Sequence, residues 1–288
     1  MAGAARELVF GDKTWLMGIV NVTPDSFSGD GLASPGRSED EIVSAALDQA
    51  RRFVAAGAEI LDVGAESTRP ASVYGERPPV DVESEAALGV PVVAALARDL
   101  GDRALVSIDT SHGAVARTAI QAGAGMVNDV WGATRDPGTA EAAAAGGAYL
   151  VVMHNQEGAA YPDGVVPSVI AWLQVAAEHA FGIGVPRDRL LVDPGIGFGK
   201  PTAQSLELLH RLREIKEALG LPLLVGTSRK RFIGEVLGGA PVDDRVEGTA
   251  ASVALAIAGG ADVVRVHDVE QIARTVRVAD AIVRFHPR

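Results

Sequence analysis

The stretch Leu191–Lys200, LVDPGIGFGK, decides how the rest of the chain is read. A short apolar run reads as a buried strand and stops at Asp193 and Pro194. Glycines and a single phenylalanine, Phe198, follow, and a helix is expected from about Thr202. This order puts a carboxylate at the carboxyl end of a strand, ahead of a loop whose glycines let the backbone approach a ligand closely. The same order recurs in Asp62 after EIL, Asp109 after LVSI, Asn128 and Asp129 after GMV, and Lys230 just beyond LLVGT. Polar groups leaving successive strand ends on one side describe a ligand site.

Working outward, strands are expected at Trp15–Val20, Glu59–Val63, Leu105–Ile108, Met126–Val127, Ala148–Met153, Leu190–Val192, Leu221–Val225 and Asp262–Val266. Between them, helical spacing of apolar residues predicts helices at Glu39–Ala56, Val82–Arg98, His112–Ala122, Thr139–Ala145, Val169–Phe181 and Ala203–Ala218. A short helix from Lys230 and helices at Val246–Ala258 and Val269–Phe285 complete the set. Residues 7–14 read as a short edge strand closing the bottom of the fold. Short, wholly apolar strands alternating with helices indicate a parallel sheet covered by helices, and eight such units close a TIM (β/α)8 barrel. An open doubly wound sheet would call for a glycine fingerprint after the first strand. The residues there are NVTPDSF, which is no dinucleotide loop. No Ser/Pro-rich linker interrupts the alternation, so residues 1–288 are expected to form a single domain.

Net charge is −11, from 26 Lys and Arg against 37 Asp and Glu, which disfavours nucleic acid or an anionic membrane surface as a partner. Cysteine is absent, which excludes disulfides, a thiolate nucleophile and thiolate-held metal and agrees with a cytoplasmic location. The opening MAGAARE lacks the features of a secretory signal, and no apolar stretch is long enough for a membrane helix.

In a barrel the loops after the strands share one face, so Asp62, Asp109, Asn128, Asp193, Lys230, Arg265 and His267 should converge there. Carboxylates and an amide in such a cleft suit a flat heterocycle with several N–H donors. For Asp62 a place in the barrel interior is the competing reading. Asp129 is expected to be structural, because adjacent strand residues point opposite ways. Arg265 and His267 alternate across Val266, with Asn21 on the neighbouring first strand, and together they suit a mono- or diphosphate. His154 and His112 read as caps at least as readily as ligands. No HExxH is present, which argues against a catalytic zinc site. Two long loops, 21–38 and 64–81, look like lids over a second, less polar substrate, with Phe27 and Phe198 as platforms.

As a set, NVTPDSFSGDG (21–31), DVGAESTRP (62–70), SIDT (107–110), VNDV (127–130), VDPGIGFGK (192–200), GTSRKRFIG (226–234) and RVHDV (265–269) resemble the dihydropteroate synthase family, over essentially the whole chain. The resemblance implies a cytoplasmic barrel transferase of folate biosynthesis, commonly a homodimer, using Mg2+ and inhibited by sulfonamides. Its reaction joins 6-hydroxymethyl-7,8-dihydropterin diphosphate to p-aminobenzoate. By the same resemblance Asp109, Asn128, Asp193 and Lys230 hold the pterin, with Met153 packed against it, while Asn21, Arg265 and His267 hold the diphosphate. Asn21 also contacts Mg2+. Phe27, Ser67, Thr68, Arg69, Pro70 and Phe198 form the aminobenzoate site, and the catalytic set is Asp25, Asp109, Lys230, Arg265 and His267. The chain departs from the family pattern at Ala65 and Ala71, at Trp131, and in MHNQEGAAYPDG after the fifth strand. Two rival readings are a pterin-binding module of the methyltransferase type and a non-catalytic paralogue.

Overall fold

The computed structural model describes residues 6–23, 31–33, 36–66, 81–156 and 158–285. Its strands are β1 (Trp15–Asn21), β2 (Ile60–Gly64), β3 (Leu105–Asp109), β4 (Met126–Asp129), β5 (Tyr149–Met153), β6 (Leu190–Asp193), β7 (Leu224–Gly226) and β8 (Val263–Val266). All pairings are parallel, in the order β6-β5-β4-β3-β2-β1-β8-β7. The ends of this sheet meet: Val192 bridges Leu223, and Val192 N–H donates to Pro222 O at 2.9 Å. The expected barrel is the architecture found. Strand β7 begins at Leu224 rather than Leu221, because Pro222 has no N–H to give to a ladder.

The helices are α1 (Glu39–Ala56), α2 (Val82–Leu100), α3 (Gly113–Gln121), α4 (Gly138–Gly146), α5 (Val165–Ile183), α6 (Thr202–His210), α7 (Leu212–Leu219), α8 (Arg231–Val236), α9 (Val246–Ala258) and α10 (Val269–Val283). Helix α1 has the bounds its sequence predicts. Ser38 and Glu41 form a reciprocal capping box at its start, and Gly57 ends it in the left-handed conformation at φ 117°. Helix α5 starts four residues earlier than expected. Pro167 lies in its first turn, where a missing N–H leaves no intrahelical bond unmade. The helix expected over 203–218 is two helices, broken at Arg211 (φ −104°, ψ 23°). There the Arg211 guanidinium spans the break, holding Glu207 at 2.9 Å and Glu214 at 2.8 Å. No helix among the described residues is long and apolar enough to cross a membrane.

Strand alternation sorts the core into two layers. Leu16, Val20, Leu61, Val63, Val106, Ile108, Val127, Leu150 and Val264 face outward and pack with the helices. Trp15, Met17, Ile60, Leu105, Met126, Tyr149, Val151, Leu191, Leu224 and Val263 face inward and fill the lower barrel. Residues 7–14 are not a strand, yet they do close the bottom. Leu8 N–H donates to the Tyr149 hydroxyl at 2.8 Å, and Trp15 Nε1 donates to Val9 O at 2.9 Å.

Candidate active site

The inward parity of the apolar plug continues up each strand into polar residues. From Trp15 and Met17 it reaches Asn21, from Ile60 Asp62, from Leu105 Ser107 and then Asp109. On the other strands it reaches Asn128 from Met126, Met153 from Tyr149, Asp193 from Leu191 and Arg265 from Val263. All of these polar residues lie within their strands, and Asn21, Asp109 and Asp193 are the last residues of theirs. The upper barrel interior faces a cleft, so the ladder runs on past the apolar core.

Asp62 is fully buried and settles as an organiser of the other groups. Its Oδ1 accepts from Ser107 Oγ at 2.6 Å, and its Oδ2 accepts from Asn128 Nδ2 at 3.0 Å and from Arg265 Nε at 2.6 Å. Arg265 also donates through Nη2 to Asp109 Oδ2 at 2.7 Å. One guanidinium thus serves two carboxyl groups. Burial raises the Asp109 carboxyl to about 8, with Arg265 opposing and Asp62 reinforcing the rise. Asp109 Oδ1 is buried without a hydrogen-bond partner. Asn128 gives one Nδ2 proton to Asp62, and its Oδ1 and second N–H are the groups it can offer a ligand.

On β6, Asp193 Oδ1 accepts Gly195 N–H at 2.7 Å, and burial raises this carboxyl despite Lys230, the Gly195 N–H and Lys200. Lys230, which precedes α8, donates from Nζ to Ile196 O, and its Nζ lies 4.6 Å from the centroid of the Phe198 ring. Met153 is buried beside Asp193 in the β5–β6 register. His267 meets one hydroxyl twice, with its N–H 3.1 Å and its Nδ1 3.0 Å from Ser228 Oγ. The ring is thereby tied at Nδ1, and Nε2 is its other polar atom.

Asn21 and Asp109 flank Gly64. A Cβ built there would lie 3.6 Å from Asn21 Oδ1 and 3.9 Å from Asp109 Oδ2. Asp129 is structural, as its parity requires, accepting from Trp131 N–H, Ala133 N–H and Thr139 Oγ1. Among the departures, Trp131 stacks with Arg135, whose guanidinium carbon is 3.4 Å from the ring centroid, and Ala65 is fully buried. Asp25, Phe27, Ser67, Thr68, Arg69, Pro70 and Ala71 lie outside the described residues.

A feature the sequence reading did not assemble lies beside the second loop. Glu66, Glu85 and His112 each offer one ligand atom, all within 4.8 Å of one another, a spacing at which a divalent cation can be held. Glu85 is buried in α2, and its Oε2 is 2.6 Å from His112 Nδ1. The His112 ring therefore pairs with a carboxylate and does not cap α3. Local spacing gives no hint of this group, whose members come from three elements.

Gly195 is where backbone geometry fixes the site. Its φ is 66°, and a Cβ there would lie 2.0 Å from His154 O. Gly195→Ala is expected to cost more than the roughly 1–2 kcal/mol of a left-handed backbone alone, because the loop must also leave His154. Chemical denaturation would register the loss; an unchanged midpoint would contradict this account of the turn.

Comparison with known proteins agrees with this geometry. The sequence model of the "Pterin binding enzyme" family matches residues 17–267. Dihydropteroate synthase of Bacillus subtilis is 41% identical over 275 residues, covering 96% of this chain and 90% of its own. That of Synechocystis is 41% identical over 282 residues, covering 96% and 92%. Among solved structures, Xanthomonas albilineans dihydropteroate synthase with 4-aminobenzoic acid superimposes with a TM-score of 0.85. It is 39% identical, with 96% of this chain and 95% of that one covered. The Yersinia pestis synthase in a sulfonamide drug complex gives 0.87 at 35% identity, covering 99% and 100%. With a matching family model and relatives this similar along nearly their whole length, the chain belongs to the pterin-binding enzymes and, within them, to the dihydropteroate synthases.

Proposed function

We propose that the chain joins 6-hydroxymethyl-7,8-dihydropterin diphosphate to p-aminobenzoate, releasing 7,8-dihydropteroate and pyrophosphate. The observation that carries this reading is the row of acceptors at the inward ends of β3, β4 and β6: the partnerless Oδ1 of Asp109, the Oδ1 of Asn128 and the carboxylate of Asp193. A pterin edge is rich in N–H donors and matches such a row. Lys230 supplies a donor for a ring acceptor beside Asp193, and Met153 gives the ring an apolar face. Arg265 and His267 Nε2 face the diphosphate, Arg265 with the donors it has not given to Asp62 and Asp109. By the family resemblance, Phe198 serves the arylamine site together with Phe27 and Ser67–Pro70. The 4-aminobenzoic acid of the Xanthomonas structure and the sulfonamide of the Yersinia one support that class of second substrate.

In the reaction the methylene C–O bond breaks, the diphosphate leaves with its electron pair, and the pterin ring spreads the positive charge. The amine nitrogen of p-aminobenzoate then forms the new C–N bond and loses a proton. Its lone pair is free in the neutral amine, so no base has to act before attack. Asp109 and Asp25 offset charge on the pterin, and Arg265 and His267 offset charge on the departing pyrophosphate. The oxygen donors at the β1 and β3 ends, Asn21 Oδ1 foremost, fit a hard cation such as Mg2+. When bound, Mg2+ neutralises the charge of the leaving pyrophosphate. We extend the reading to a cytoplasmic homodimer.

The test is pyrophosphate release from purified protein with dihydropterin diphosphate and Mg2+, with and without p-aminobenzoate, and identification of the product by mass. Formation of dihydropteroate, lost on adding a chelator, is expected. Pterin binding with no condensed product would sink the reading in favour of a non-catalytic paralogue.

A further inference from the structure

Lys200 is a buried ammonium to which the reaction gives no task. It is 5% exposed, and its Nζ gathers Phe198 O at 2.9 Å, Gly195 O at 3.0 Å, His154 Nδ1 at 2.9 Å and, more distantly, His154 O at 3.3 Å. Among the described residues its hydrogen bonds reach no carboxylate. A buried cation held by carbonyls and a neutral ring is costly to keep, and a methionine would fill the same space more cheaply. What the ammonium supplies is direction, because its three N–H bonds match the three shortest contacts. Two of those contacts lie in the loop between β6 and α6, and the third is on the residue after β5.

The same loop presents Phe198 beside Lys230 and gives Ile196 O to Lys230 Nζ. Asp109, Asn128 and Arg265, by contrast, are held through Asp62 from other strands. We propose that Lys200 and His154 form a clasp that positions the β6–α6 loop, and through it Phe198, for binding of the arylamine substrate; this rests on the functional reading above. Burial lowers His154 to about 3, so its ring is neutral and Nδ1 is an acceptor. Burial also lowers Lys200, to about 7, with the nearby Asp193 opposing.

Two comparisons test the clasp. Lys200→Met is expected to raise KM for p-aminobenzoate about tenfold, the order of effect that loss of positioning has on a reacting group. KM for the dihydropterin diphosphate should rise less than KM for p-aminobenzoate, because Asp193 and Lys230 border the loop but Asn128 and Arg265 are held through Asp62, which the loop does not touch. If Lys200→Met does not fold, the second comparison still decides. His154→Asn and His154→Leu are near-isosteric and lose the same ring packing, but only Asn keeps an acceptor at the Nδ1 position. His154→Asn should therefore retain a KM for p-aminobenzoate close to wild type, while His154→Leu shows the increase. Equal KM values for the two His154 variants, or a Lys200→Met enzyme with lowered kcat and unchanged KM, would overturn the proposal alone. A wild-type protein that forms no dihydropteroate overturns the functional reading and this inference together.

Discussion

Arg265→Met is expected to cost the ligand-free protein about 3–5 kcal/mol, the usual consequence of removing one partner from a buried charge network. Asp62 keeps Ser107 and Asn128, but among the described residues Asp109 loses the one partner of its Oδ2 while its Oδ1 has none. Asp109 can lessen this loss by taking a proton. Its folded-state carboxyl is already raised to about 8, so the folded protein holds that proton to higher pH than the unfolded chain does. Ionisation therefore costs the folded state progressively as pH climbs from the ordinary carboxylate range towards 8, and below that range the cost vanishes. Without Arg265 the window extends further upward, so the stability gap to wild type should widen between pH 6 and pH 8. On the proposed function turnover should fall by about a hundredfold or more, since the same guanidinium that pairs with Asp109 would also face the diphosphate. Arg265→Lys keeps the charge but not the fork that reaches Asp62 and Asp109 together, so it should recover only part of the stability. Urea unfolding at the two pH values measures the first effect and steady-state kinetics the second. A variant as stable as wild type at pH 8 would mean that the two carboxylates do not depend on Arg265.

The pairing behind that prediction shows where sequence stops being informative. The barrel was legible because each strand is a short apolar run and each helix has local signals, such as the Ser38–Glu41 box and Gly57 around α1. The inward residues were legible too, since alternation fixes parity once a strand is placed. Partners were not. Arg265 lies 203 residues from Asp62 and 156 from Asp109, and nothing local says that the cation assigned to phosphate also ties two carboxylates. Asp62 could be ligand or interior until Ser107, Asn128 and Arg265 were seen to converge on it. The break at Arg211 has no proline or glycine to announce it. Lys200 ended the motif that opened the reading, yet its acceptors include a residue from a different strand end, and only closure of the barrel brings them together.

Asp193→Asn should separate what the fold gains from what the reaction needs. Asn is the neutral stand-in for the protonated acid, and its Oδ1 can still accept Gly195 N–H, the 2.7 Å bond that sets the loop. The other oxygen becomes an NH2 group. On the proposed function, that group points a donor at the pterin's N–H edge, which loses one acceptor there and gains a repulsive neighbour. Leaving such groups unsatisfied in a buried site costs about 2–4 kcal/mol, which is on the order of thirty- to a thousandfold in kcat/KM. Stability should move the other way. Burial raises the Asp193 carboxyl above its ordinary range even with Lys230, Lys200 and Arg265 nearby. The folded wild type therefore resists ionising it, and stability is lost as pH rises through the raised value. The Asn variant has no such loss, so its melting temperature should exceed that of wild type wherever the wild-type carboxyl is ionised. Melting curves at pH 6 and pH 8, alongside kinetics with varied dihydropterin diphosphate, read both effects. A variant that melts lower than wild type at pH 8 would show that the carboxylate holds the loop together. A more stable variant without activity would instead show a charge kept buried for its ligand, at a cost to the fold.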